Sequence, residues 1–202
     1  MTLEAFFSVP IVYTEINESI ISNSLTLTKK YIDSTSFESK PANGKTITTF
    51  YDDRNYLSTT QDHQLIEVII TTAREFLSVI GLQNDIPIGV ESWLNLNTPG
   101  TGHQIHTHYG ALASGVVYLE TYENCGDLVF LDPISERTQA NVYSENIKKE
   151  LNDFNFPVVK YKPITGRIIM FEGWLPHTVD VNKSKENRIS VSFNIWKNDG
   201  KN

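Results

Sequence analysis

The stretch RISVSFNIW, residues 188–196, decides how the chain folds. Ile189, Val191, Phe193 and Ile195 alternate with Arg188, Ser190, Ser192 and Asn194, the period of two that sends successive side chains to opposite faces of a β-strand. The apolar face belongs against a core. The polar face looks either to solvent or into a cavity, and the two settings ask different things of position 188. Solvent asks nothing in particular. A cavity makes Arg188 a forked donor for a carboxylate, with Ser190 as a second donor.

The same texture runs upstream. IGVESWLNLN (88–97), GALASGVVYLE (110–120), GDLVFLD (126–132), FPVVKY (156–161) and GRIIMFEG (166–173) are short strand-like runs broken by Pro, Gly and Asn. Two helical patterns precede them. Residues 17–33 carry one, and residues 62–81 the other, with Leu65, Ile69, Ala73, Phe76 and Leu77 near helical spacing and Gly81 as a stop. Between the helices, residues 44–61 (GKTITTFYDDRNYLSTTQ) read as strand and loop. Many short strands after two helices predict a mainly β fold, an antiparallel sandwich or barrel with flanking helices on one outer face. The chain reads as one domain over 1–202, with an N-terminal strand and supporting helices in 1–87 and a β core in 88–198. The polar stretch 134–156 reads as a loop with one short helix around NIKKELNDF, long enough for a lid, a substrate loop or a connection.

Composition narrows the class. The 202 residues carry 17 Lys and Arg against 24 Asp and Glu, a net charge of −7, which argues against nucleic acid as a partner. The single cysteine, Cys125, excludes disulfide scaffolds and cysteine-based zinc sites. No segment approaches ~18 consecutive apolar residues, and the start MTLEAFFSVPIVYTEINES has no basic region ahead of its apolar residues. The expectation is a cytoplasmic protein without a membrane partner.

Three of the five histidines, His103, His106 and His108, fall within GTGHQIHTHYG (100–110), and His177 follows in WLPHTVD. His63 reads as a satisfied or surface side chain. On a strand, the spacing of His106 and His108 points both imidazoles from one face. Joined by His177 from a distant strand, they make a site for a divalent transition metal. Ten residues separate His177 from Arg188.

That order resembles the iron(II)- and 2-oxoglutarate-dependent dioxygenases built on a double-stranded β-helix, a jelly-roll or cupin-like barrel with N-terminal helices packed on its major sheet. It is similar in particular to a phage and marine-bacterial group of 2-oxoglutarate oxygenases related to prolyl hydroxylases. The pieces that carry the likeness are His106-Thr107-His108, Ser114 to Leu119 (SGVVYL), Gly126 to Pro133 (GDLVFLDP), Trp174 to His177 (WLPH) and Arg188 to Asn194 (RISVSFN), spanning roughly residues 90–196. The resemblance implies an oxidoreductase that hydroxylates a prime substrate using Fe(II), O2 and the co-substrate 2-oxoglutarate, with release of succinate and CO2. It implies His106 and His177 as metal ligands, Arg188 as partner of the distal carboxylate of 2-oxoglutarate, and Ser190 beside it. The chain departs from the usual two histidines and one carboxylate, because His108 stands where Asp or Glu is expected. His108 itself, Asp132, or no protein group is then the third ligand; the strand period favours His108. His103 is a supporting or substrate-facing residue. Asn95, Trp93 and Tyr118 line the pocket or bond 2-oxoglutarate, or else fill the barrel. The prime substrate is a protein side chain, a prolyl residue by analogy with the prolyl hydroxylase branch, or a small molecule. A homodimer through the N-terminal helices is left open.

Three other readings compete. A cupin-like metal-binding protein would share the architecture, and Gly100 and Gly166 suit its motifs, yet no glutamate precedes Glu120 after the HxH pair. A zinc hydrolase or hydratase would also use three histidines and a water. A non-catalytic jelly-roll binding module would use the histidines for a structural metal or a carbohydrate. Neither of the first two gives Arg188 a task.

Overall fold

The structure, a computed structural model, describes residues 8–35, 37, 46–134 and 156–198. In chain order the elements are β1 (Ile11–Glu15), α1 (Glu18–Thr35), β2 (Ile47–Thr48), α2 (Tyr56–Thr59), α3 (His63–Val79), β3 (Ile88–Asn97), β4 (His103–His106), β5 (Ala113–Glu120), β6 (Leu128–Leu131), β7 (Val158–Tyr161), β8 (Arg167–Phe171), β9 (His177–Val179) and β10 (Arg188–Lys197). They form a six-stranded sheet in the order β1-β8-β5-β10-β3-β2 and a four-stranded sheet in the order β4-β9-β6-β7. Neighbouring strands in both sheets are antiparallel.

β10 is central because both its edges are taken. It pairs with β3 from Arg188↔Asn97 to Lys197↔Ile88, and with β5 on the other side. Ile189, Val191, Phe193 and Ile195 are buried in one cluster with Ile21 and Ile32 of α1 and Leu65, Ile69, Ala73 and Phe76 of α3. Each such side chain, taken out of water, contributes roughly 1.5–3 kcal/mol. The helices therefore cover the outer face of the larger sheet, as the amphipathic spacing of residues 62–81 requires. α3 begins where the Asp62 carboxylate accepts the Leu65 amide at 3.3 Å, and the chain turns away at Gly81, whose φ of +76° suits a residue without a Cβ. Asn17 caps α1 by accepting the Ser19 amide at 2.9 Å.

The inner faces of the two sheets enclose a second cluster, with Val116 and Tyr118 of β5, Leu128 and Phe130 of β6, Ile169 and Phe171 of β8, and Leu175. On the opposite, helix-covered face of β5, close approach demands glycine at 115. A Cβ at that position would lie 2.3 Å from the Phe193 ring and 2.5 Å from the Ile169 carbonyl oxygen.

Two expectations need correction or fall outside view. Residues 44–61 are not simply strand and loop, since Tyr56–Thr59 forms the short helix α2. Tertiary contacts account for it: Tyr56 and Leu57 are fully buried, the Tyr56 hydroxyl donates to Thr28 Oγ1 at 2.7 Å, and the Leu57 amide donates to Ser92 Oγ at 3.1 Å. Four residues are too few to show a period in the sequence. The helix expected around NIKKELNDF lies outside the described residues. Among the described residues, no helix is long and apolar enough to cross a membrane.

Candidate metal and anion site

The polar face of β10 looks into a cavity between the sheets. Its lining includes Arg188, Ser190 and Ser192 from β10, Trp93 and Asn95 from β3, Tyr118 from β5, and all four histidines of interest. The alternation read at residues 188–196 thus resolves in favour of the cavity.

His106, His108 and His177 each offer a ring nitrogen, and these nitrogens lie within 4.8 Å of one another. Their ring centroids are 4.2 Å apart for His106 and His177, and 5.1 Å for His108 with either. His106 and His177 are register partners across β4 and β9. His108 arrives differently from the sequence expectation. β4 ends at His106, so His108 does not share its strand. Instead the His108 amide donates to the Gly173 carbonyl at 2.7 Å, in the turn before β9, and Trp93 packs on its ring at 5.6 Å. The convergence is tertiary. The carboxylate weighed as an alternative, Asp132, is not part of this group; it accepts the Ile134 amide at 3.0 Å.

The protonation of two rings follows from their partners. His106 Nδ1 lies 2.7 Å from the Gln104 carbonyl oxygen, and His177 Nδ1 lies 2.9 Å from that of Leu175. A carbonyl oxygen can only accept, so each Nδ1 is the donor and Nε2 is the nitrogen of each ring left for a metal. Such a carbonyl contact also orients a metal-binding imidazole. Burial lowers the pKa of His177 to about 3 and that of His108 to about 4, which keeps both rings neutral and able to coordinate. These side chains fit a divalent cation.

At the other end lies Arg188, 2% exposed. Nη2 donates to Asn97 Oδ1 at 2.7 Å and Nη1 to the Gly126 carbonyl at 2.8 Å. Its Nε is buried without a hydrogen-bond partner, and among the described residues no carboxylate forms an ion pair with it. The Tyr118 ring stands 5.6 Å from the guanidinium carbon. A second buried orphan is Asn95 Oδ1, whose Nδ2 donates to Ser192 Oγ at 2.9 Å. Turning the amide over would let Oδ1 accept from the serine hydroxyl and aim Nδ2 at a ligand. Buried orphans are costly, so an unpaired guanidinium donor and an invertible amide on one cavity fit an anion with several oxygens.

His103 also lines the cavity, with its ring 6.3 Å from that of His106, but stands outside the three-nitrogen group. Burial, then the nearby Arg188 charge, lowers its pKa to about 3. Asn97 was not singled out in the sequence. The period of two through Trp93 and Asn95 points to it directly.

The comparisons agree with this geometry. A family model described as "Putative 2OG-Fe(II) oxygenase" matches residues 91–194. No curated protein matches the chain. Among solved structures, the chain is similar to the non-heme alpha ketoglutarate dependent epimerase SnoN from nogalamycin biosynthesis, with a TM-score of 0.66 at 11% identity over 94% of this chain and 78% of that one. A Pseudomonas putida prolyl-4-hydroxylase gives 0.58 at 15% identity over 94% and 93%. HygX from Streptomyces hygroscopicus, solved with nickel and 2-oxoglutarate bound, gives 0.58 at 11% identity over 95% and 84%. At these identities the likeness speaks for the fold, a double-stranded β-helix.

Proposed function

The chain belongs to the 2OG-Fe(II) oxygenase family, and from that premise we propose that His106, His108 and His177 hold its iron while Arg188 anchors its 2-oxoglutarate. The observation that carries the assignment is the buried Arg188, unpaired at Nε, on the same cavity as the three imidazoles. Neither a cupin-like metal binder nor a zinc hydrolase calls for a buried cation there.

Fe(II) and 2-oxoglutarate together supply the reduction of O2, with decarboxylation of the 2-oxo acid to succinate and CO2, that oxidises a C–H bond of the prime substrate. The chain's own residues do the positioning. Three neutral imidazoles leave the full charge of the cation in place, which favours a dianionic co-substrate over a singly charged one. Arg188 fixes the distal carboxylate through charge-assisted hydrogen bonds, with Ser190, Asn95 and Tyr118 beside it. Val116, Leu128, Phe171 and Val179 form an apolar wall that keeps water from the reacting end. Ile105 and Tyr109, flanking the ligands His106 and His108, are 62% and 91% exposed. They give apolar contact to a substrate that presents a side chain from outside, which supports hydroxylation of a protein or peptide. A cytoplasmic setting suits the free, buried thiol of Cys125.

Anaerobic titration of the Fe(II)-loaded protein with 2-oxoglutarate tests the assignment. The weak visible charge-transfer band of the chelate is expected, and its loss in His177→Ala. Absence of the band with iron demonstrably bound would sink the reading.

A further inference from the structure

Among the described residues, the acceptors that hydrogen-bond Arg188 are neutral. Of these, Asn97 is the one whose chemistry a single substitution can change, since the others are the main-chain oxygens of Gly126 and, at 3.5 Å, Cys125. Asn97 faces Arg188 directly as its register partner between β3 and β10, and is 1% exposed. Its own orientation is determined. The guanidinium can only donate, so Oδ1 is the atom that turns to it, which leaves Nδ2 to donate to Thr46 Oγ1 at 2.6 Å, and the Asn97 carbonyl accepts from Asn182 Nδ2 at 2.7 Å. Asn97 is not on the cavity wall and so acts through the arginine.

We infer that Asn97 is a positioning residue for the co-substrate: an acceptor that orients the Arg188 guanidinium with Nε left unpaired, and that must be uncharged so the cation stays available to the distal carboxylate of 2-oxoglutarate. The inference rests on the assignment of Arg188 made above. A carboxylate at 97 would fit the same space and keep both hydrogen bonds, because the Thr46 hydroxyl can donate as well as accept. It would also close a buried ion pair with Arg188 and use the charge internally. A residue that merely supported the sheet would tolerate that exchange. A residue that keeps the arginine free would not.

The test compares wild type, Asn97→Asp, Asn97→Ala and Arg188→Ala. Three quantities are measured: the Kd for 2-oxoglutarate of the Fe(II)-loaded protein without oxygen, the Fe(II) affinity without co-substrate, and the Tm of the metal-free protein. For Asn97→Asp the expectation is a Kd weaker by ~10-fold or more, the scale of one hydrogen bond to a charged group, with Fe(II) affinity unchanged and Tm equal or higher. Asn97→Ala keeps the positive charge but loses the orientation, and its Kd weakens by a smaller factor with a lower Tm. Wild-type 2-oxoglutarate affinity in Asn97→Asp overturns the inference, as does weakening that comes with a fall in Fe(II) affinity or in Tm. Should Asn97→Asp not fold, wild-type affinity in Asn97→Ala overturns it in the same way. Arg188→Ala separates the two claims: if it binds 2-oxoglutarate normally, the assignment of Arg188 has failed, whatever Asn97 does.

Discussion

His106 and His177, 71 positions apart in the chain, are register partners across β4 and β9, with ring centroids 4.2 Å apart. Strand pairing therefore brings together two of the three proposed ligands. The third histidine is placed from outside that strand pair: its amide donates to the Gly173 carbonyl, its carbonyl accepts the Ala111 amide, and Trp93 packs on its ring.

Removal of either paired histidine should empty the site. His106→Ala and His177→Ala are expected to lower Fe(II) affinity by more than ~100-fold, beyond the loss typical of a supporting partner. Competition with a chromophoric chelator measures this. Affinity within ~10-fold of wild type in either variant would remove that residue from the ligand set.

His108→Asp restores the two-histidine, one-carboxylate arrangement common to non-heme iron sites. Fe(II) binding should persist while 2-oxoglutarate binds more weakly, because the added negative charge repels the dianion. Paired titrations with metal and co-substrate decide it. Complete loss of metal would mean that the geometry at 108 suits an imidazole alone.

Gly173→Ala reaches the site through the backbone. A Cβ there would lie 2.8 Å from the His108 carbonyl oxygen and 2.7 Å from that of Ala111, so the segment carrying His108 must move. A stability loss of roughly 1–3 kcal/mol is expected, together with weaker Fe(II) binding. Urea unfolding and metal titration on the same sample test both parts. Unchanged metal affinity would show that His108 follows the shift without cost.

Acid should destabilise the metal-free protein. Burial holds His103 and His177 at about 3 and His108 at about 4, whereas in the unfolded chain each titrates near 6.5. Between those values the unfolded chain binds more protons, so stability falls as pH drops from ~6.5 towards ~4 and is level with respect to these groups above 6.5. Tm measured across that range should decline, and less steeply in His177→Gln. An equal slope in the variant would mean that His177 does not contribute.

Much of this was legible in local pattern. The alternation at 188–196 assigns each side chain to a sheet face without reference to any partner, so the two faces of β10 could be read residue by residue. The spacing of Leu65, Ile69, Ala73, Phe76 and Leu77 likewise named the buried stripe of α3. The short helix α2 was not legible, because Tyr56 and Leu57 are ordered by Thr28 and Ser92 from remote elements.

The site divides the same way. Sequence alone named the histidines, Arg188 and the face on which Arg188 stands, since residue type and a period of two are local properties. It placed His108 beside His106 by the wrong route, because strand period cannot foresee that β4 stops at His106 and that Gly173 captures the His108 amide. It could not tell solvent from cavity for the polar face of β10, nor show that Asn97 and the Gly126 carbonyl already occupy part of the arginine. Those facts come from antiparallel pairing between segments far apart in the chain, and pairing register is decided by the whole of both sheets packing at once.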